Sequence, residues 1–209
     1  MSTVILDFGS GNTCQNRLEL VKQMLDGLKA VDTGKHEVTI KWQLFEEAGK
    51  NEPLYRSVFA FAYKRAAEMG YKTTASVFDL DSLKFLLGFD VPFIKIANRR
   101  DLDWLIGEVP RKIPVFVSFT QNFNPEYRKK IKPLMCISKY PATIEDYEKA
   151  FDIKAFVHQD IGISDHTTDF TLWNRYKPQI IEWHYKLEDS TGLDAGLFAR
   201  TPAQLKEVL

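Results

Sequence analysis

Ile161-Gly162-Ile163-Ser164-Asp165-His166-Thr167 and Ile180-Ile181-Glu182-Trp183-His184-Tyr185 are two short apolar runs, each leading into a polar segment that carries a histidine. Runs of this length, rich in isoleucine, read as buried β-strands. If the two strands are parallel neighbours, both histidines lie at C-terminal strand ends, which form the functional face of a parallel barrel. Two imidazoles converging there suit Mn, Fe, Co, Ni or Zn. On spacing alone two readings stay open: a metal-binding pair, or one exposed and one packed histidine with no common role.

Working outward, six further strand candidates precede these two: Val4–Phe8, Val38–Phe45, Thr73–Val77, Phe93–Ala97, Val115–Ser118 and Leu134–Ile137. Helical stretches separate them. Leu18, Val21, Leu25 and Leu28 form one apolar stripe, and Phe59, Ala62, Ala66 and Met69 form another that stops at Gly70. Asp79 is placed to cap a helix over Leu80–Leu87, closed by Gly88. Asn124-Pro125 reads as N-cap and first helical residue, while Thr143-x-x-Asp146 and Thr201-Pro202-x-Gln204 read as capping boxes. Trp173 falls in a short helix between the last two strands. Eight strands alternating with helices, at roughly 25-residue intervals, argue for one compact (β/α)8 TIM barrel over residues 1–209. A doubly wound open sheet is the alternative that counting leaves open.

Composition excludes several classes. The chain has 28 Lys plus Arg against 28 Asp plus Glu, so no global field draws it to nucleic acid or to an anionic membrane. Hydrophobic residues make up 44% and charged residues 27%, the balance of a globular protein. No apolar run approaches a membrane span, and the N-terminus lacks the basic region of a signal peptide. Cys14 and Cys136 form no disulfide framework, so a reducing, cytoplasmic setting is expected.

From Ser76 onward a series of motifs appears in order. These are Val77-Phe78-Asp79, Val91-Pro92-Phe93-Ile94-Lys95-Ile96-Ala97, Lys112-Ile113-Pro114-Val115-Phe116-Val117-Ser118 and Cys136-Ile137-Ser138-Lys139-Tyr140-Pro141. Ser164-Asp165-His166-Thr167, Glu182-x-His184 and Gly192-Leu193-Asp194 follow. Together they resemble the sialic acid (N-acetylneuraminate) synthase family, with a weaker match at Lys41-x-Gln43. The resemblance implies a TIM-barrel transferase that condenses phosphoenolpyruvate with an amino-sugar aldehyde to give a nonulosonic acid. It implies His166 and His184 as ligands of a divalent metal, Mn2+ first, with Mg2+ or Co2+ as substitutes. Lys41 and Lys95 would hold the phosphate and carboxylate of the donor, with Ser76, Ser118 and Ser164 hydrogen-bonding the same anion. Tyr140, Ser138 and Asp194 would face the sugar. Asp165 and Glu182 are expected to orient the histidines; Glu182 reads equally well as half of a buried ion pair.

The departures from the family pattern cluster on the acceptor side. Ala97-Asn98-Arg99-Arg100 stands where relatives carry Gly-Ser-Gly and an acid, so Asn98 and Arg100 are expected to line the sugar pocket and favour an anionic acceptor. Ser118-Phe119-Thr120-Gln121 and Met135 also depart, and Ser138 replaces an asparagine. Cys14 has two readings, a third metal ligand or a quiet buried thiol. The sequence runs to Leu209 without the small antifreeze-like domain of full-length relatives, which reaches across a dimer. A homodimer, or a separate antifreeze-like domain protein, is the expected partner. The alternative function is a non-catalytic or regulatory barrel that keeps the anion and metal residues.

Overall fold

The computed structural model describes residues 1–47, 49–120 and 131–209. Eight parallel strands close in sequence order: β1 (Thr3–Asp7), β2 (Glu37–Leu44), β3 (Lys72–Val77), β4 (Ile94–Ile96), β5 (Val115–Phe119), β6 (Ile131–Cys136), β7 (Gly162–Asp165) and β8 (Ile180–His184). Pairing of β1 with β8, Thr3 opposite Ile180 through Asp7 opposite His184, rules out the open sheet. Helices wrap the outside: α1 (Gly11–Cys14), α2 (Leu18–Val31), α3 (Arg56–Glu68), α4 (Leu80–Leu86), α5 (Leu105–Glu108), α6 (Ile144–Ala150), α7 (Ile153–Val157), α8 (Thr171–Tyr176) and α9 (Pro202–Leu205). Among the described residues no helix is long and apolar enough to cross a membrane.

The period-two alternation of each strand divides its residues between two environments. Outward residues such as Leu6, Ile40, Trp42, Ile96, Val117 and Trp183 join the helices in one continuous core. Val21, Met24, Leu25 and Leu28 supply the buried stripe of α2, while Leu18 stays exposed at its start. Inward residues Ile5, Phe93, Phe116, Leu134 and Ile180 plug the lower barrel, with the Phe93 and Phe116 rings stacked at 4.0 Å. One step toward the C-terminal end, residues of the same inward parity turn polar. That change positions the site.

Strand boundaries differ from expectation by a residue or two, except at β6. It begins at Ile131 rather than Leu134, taking in Pro133 opposite Val117. Proline donates no ladder hydrogen bond, which is why it reads as a strand breaker. Asp79 accepts from Ser82 N at 2.7 Å, and both capping boxes form as expected, at Thr143 with Asp146 and at Thr201 with Gln204. Trp173 lies in α8. The helix expected at Asn124-Pro125 lies outside the described residues.

Candidate active site

The C-terminal mouth opens into a cleft of about 490 Å3. Its floor is the polar layer above the apolar plug: Asp7, Lys41, Gln43, Ser76, Lys95, Ser118, Cys136, Ser164, Glu182 and His184. Each sits at or near the last inward position of its strand, where a parallel strand would otherwise carry Val, Ile or Leu.

Two buried lysines organise the floor differently. Lys41 Nζ lies 2.6 Å from Asp7 Oδ2 and donates to Ser76 Oγ at 2.9 Å. Burial alone would lower its pKa, but Asp7 and Glu182 hold it above the ordinary lysine value. Burial would likewise raise Asp7, yet Lys41 and His184 keep that carboxyl well below the usual range. Lys95 Nζ donates to Ser118 Oγ at 2.7 Å and lies 3.6 Å from Glu182 Oε1. Here burial wins, and the Lys95 pKa falls because Glu182 offsets it only in part. A buried ammonium among hydroxyls whose charge is only partly offset would be stabilised by an added anion.

The histidines face one another across the mouth, ring centroids 5.3 Å apart. His166 Nδ1 lies 2.7 Å from Ile137 O, and its backbone N–H donates to Tyr147 OH at 3.1 Å. With Nδ1 bonded to a carbonyl, Nε2 carries the lone pair. Burial, reinforced by His184, pushes the His166 pKa down to about 4. His184 is flanked by two carboxylates, Nε2 at 3.8 Å from Asp7 Oδ2 and Nδ1 at 3.5 Å from Asp194 Oδ1, yet burial still lowers its pKa. Gln43 Nε2 donates to both of these carboxylates, at 2.9 Å each. Burial and the charge of Asp7 lift Asp194 to about 6.

Phe198 closes one side of this pair, its ring centroid 4.9 Å from His184 and 6.1 Å from His166. Tyr140 lies tilted against His166, ring centroids 4.3 Å apart, and a cis peptide bond joins it to Pro141. Gly9, at φ 76°, brings the β1 loop against Asp194, where a Cβ would sit 2.9 Å from the Asp194 Cβ.

Two neutral imidazoles, with buried His184 Nδ1, Asp194 Oδ2 and Glu182 Oε2 lacking hydrogen-bond partners, fit a divalent ion completed by water and substrate. Among the described residues no group of three His, Cys, Asp or Glu side chains is arranged to hold a metal.

The structure gathers most of the expected residues: Lys41, Lys95, Ser76, Ser118, Ser164, Asn98, Ser138, Tyr140, Asp194, Glu182, His166 and His184 all line the cleft. Asn98 Nδ2 reaches Thr120 Oγ1 at 2.5 Å and Ser138 Oγ at 2.9 Å, tying three strand ends together.

Several expectations need correction. Asp165 hydrogen-bonds neither imidazole directly. It points to the outer face, accepting from Thr167 N at 2.8 Å and Trp183 Nε1 at 2.9 Å, beside Arg200 at 3.6 Å. Strand alternation sends it opposite to Ser164. Glu182 follows its ion-pair reading, accepting from Ser164 Oγ at 3.0 Å beside Lys95. Arg100 is an exposed residue opening a 3-10 turn and does not line the cleft; Arg99 does, paired with Asp101. Cys14 is packed in the outer core, its thiol pushed up to about 11 by burial, so it follows the quiet-thiol reading. Cys136 lines the cleft instead.

Sequence reasoning gave no role to Asp7, Gln43, Arg99 or Phe198. Gln43 shares the inward face with Lys41 two residues earlier, which the period of the strand could have revealed. Asp7 is a lone acid at the end of an apolar strand, a signal of the same kind.

The sequence profile of the NeuB family matches residues 33–209. The chain belongs to the NeuB family. Asp7 and the rest of β1 precede the matched segment, although β1 closes this NeuB barrel. No match to the chain was found among curated proteins. Solved structures share the fold. An N-acetylneuraminic acid (sialic acid) synthetase from Leptospira borgpetersenii, in complex with citrate, superposes with a TM-score of 0.77 at 21% identity, covering 98% of this chain and 80% of that one. The spore coat polysaccharide biosynthesis protein E of Chromobacterium violaceum gives 0.80 at 16% identity, covering 99% and 72%. The spore coat protein spsE of Bacillus subtilis gives 0.76 at 18%, covering 99% and 65%.

Proposed function

We propose that this NeuB-family barrel is a sialic-acid-type synthase that condenses phosphoenolpyruvate with an amino-sugar aldehyde. The observation that carries the reading is Lys95, fully buried, under-compensated, and bonded to Ser118 at the cleft floor. A phosphate or carboxylate oxygen placed there would supply the missing negative charge.

Charge balance supports a metal as well. Asp7 already offsets Lys41 and Glu182 offsets Lys95 in part, so a bound donor, which carries about two to three negative charges, exceeds the positive charge the floor has left. Arg99 at the rim, exposed and paired with Asp101, answers only a small part of them. His166 and His184 are the residues that would hold a divalent ion, which when bound supplies a Lewis acid for the acceptor carbonyl. The chain's own groups do the rest. Lys41, Lys95 and the hydroxyls of Ser76, Ser118 and Ser164 fix the donor. Asp194, whose carboxyl burial and Asp7 lift to about 6, stands where it can exchange a proton with an acceptor oxygen. Tyr140 and Phe198 wall the imidazole pair from water. In the overall reaction the enol carbon attacks the aldehyde carbon, water adds to the resulting cation, and phosphate leaves with formation of a nonulosonic acid.

The test uses the purified protein with Mn2+, phosphoenolpyruvate and a panel of amino-sugar aldehydes, following phosphate release and thermal unfolding. Phosphoenolpyruvate at about 100 times its Kd should stabilise the fold by about 2.7 kcal/mol. Lys95→Met should abolish that shift. A shift that survives in the Lys41→Met, Lys95→Met double variant refutes the donor site. Donor binding without turnover of any aldehyde would favour the non-catalytic barrel.

A further inference from the structure

Arg200 is fully buried, and its guanidinium lies on the outer face of the barrel, behind the two histidines. Its backbone N–H donates to His184 O at 2.7 Å, and its carbonyl accepts from Lys186 N at 3.0 Å, forming a parallel bridge opposite Tyr185. The ladder between β7 and β8 ends with Asp165 opposite Trp183. Beyond that point Arg200 takes over the hydrogen-bonding position beside β8.

The side chain reaches the other histidine's strand. Arg200 Nη2 lies 3.6 Å from Asp165 Oδ2 and donates to Asp169 O at 2.5 Å, while Nη1 donates to Phe198 O at 3.3 Å. The guanidinium also lies over the Phe170 ring, 5.0 Å from its centroid. Asp165 Oδ2 in turn accepts from Trp183 Nε1. Asp165 immediately precedes His166, and Trp183 immediately precedes His184. Because successive strand residues face opposite sides, a tie between the outward neighbours sets the separation of the inward pair. The same arginine holds the carbonyl of Phe198, whose ring packs against both imidazoles.

We infer that Arg200 is a positioning residue for the imidazole pair, clamping the ends of β7 and β8 from behind so that His166 and His184 stay at ligand spacing. The inference rests on the proposed metal-holding use of these histidines. A buried guanidinium is costly unless its bonds are satisfied, so retaining one only to fill space would be wasteful beside an apolar residue. Here the Nη1 and Nη2 contacts run to the β7 segment and to the loop that carries Phe198, and the backbone N–H to β8, while Nε is left without a partner among the described residues. Removing such an outer partner of a metal ligand typically weakens metal affinity about 10- to 100-fold.

The experiment compares wild type, Arg200→Met and Arg200→Lys. The 15N-edited imidazole spectrum of the metal-free protein is recorded first, then each variant is titrated with Mn2+ and with phosphoenolpyruvate alone. The chain has four histidines, so His36 and His158 act as internal controls. Arg200→Met should move the His166 and His184 signals, leave the controls in place, and weaken Mn2+ binding at least about tenfold. Phosphoenolpyruvate affinity without metal, which the proposed site draws from Lys41 and Lys95 and not from Arg200, should change by less than about twofold. Arg200→Lys, which keeps a cation beside Asp165, should recover part of the Mn2+ affinity; it decides the matter if Arg200→Met does not fold. Unmoved His166 and His184 signals, or equal movement of all four, overturn the clamp. Failure of wild type to bind Mn2+ refutes the metal reading instead, and the metal-free imidazole signals still judge the clamp.

Discussion

Adjacent residues in this chain do unlike work, and the cationic pair Arg99 and Arg100 illustrates it. Arg99 lines the cleft while Arg100 begins an exposed turn, so the guanidinium nearer the site lies one residue earlier than expected from sequence, where it is paired with Asp101. Arg99→Glu should weaken phosphoenolpyruvate binding by about two- to fivefold, a modest effect because the group is half exposed and screened. Arg100→Glu should leave it unchanged in the same calorimetric titration. The two thiols give a second residue-scale prediction. Burial pushes Cys14 and Cys136 up to about 11, so neither carries appreciable thiolate at pH 8. Iodoacetamide should alkylate them slowly in the native protein and rapidly after unfolding. Because the unfolded chain releases these protons first, near pH 9, each thiol should also erode stability as pH rises from 9 toward 11. Measured urea midpoints across that range check the sign.

At the level of strands and helices, local chemistry was legible. Strand positions followed from β-branched runs, and helix starts from side chains that cap their own backbone, both of which depend on near neighbours. Thr143 Oγ1 accepts from Asp146 N, and Thr143 N–H donates to the Asp146 carboxylate at 2.9 Å at the start of α6. Thr143→Ala should therefore cost about 1 kcal/mol, read from the urea midpoint. Pro133 hid the start of β6 because its effect on a strand depends on which edge the partner presents. Gly162 in β7 is inward and crowded: an added Cβ would meet Leu134 Cδ2 and lie 2.9 Å from both Ile180 Cβ and Ile180 O. Gly162→Ala should destabilise by about 1–3 kcal/mol, since the Ile180 backbone as well as the packed Leu134 side chain would have to move. An unchanged midpoint would show that β7 yields more easily than its packing implies.

For the whole molecule, Asp7 has the widest reach. It lies in the first strand, opposite Lys41 of the second and His184 of the last, so it stands at the seam that closes the barrel. Asp7→Ala should cost about 3–5 kcal/mol, because Lys41 would remain buried without the partner now 2.6 Å away. Phosphoenolpyruvate should stabilise that variant more than it stabilises wild type, since the donor would replace the lost negative charge. Equal ligand-induced shifts in melting temperature would mean that the anion does not reach Lys41.

By itself the sequence determined where the eight strands and most helices lie, the caps that start them, and which strand residues share a face. These depend on spacings of two to four residues. From the motif series it also yielded most of the cleft lining, including both lysines and both histidines. Tertiary structure decided what depends on closure and register. Joining β8 to β1 set Asp7 beside His184, two residues that share no local signal. The outward turn of Asp165 and the inward placement of Arg99 followed from where each strand leaves the barrel. Arg200 is distant in sequence from His166, and only the return of the last loop along β8 brings the two together. Such contacts arise from chain ends and strand edges meeting in space, and no local periodicity encodes them.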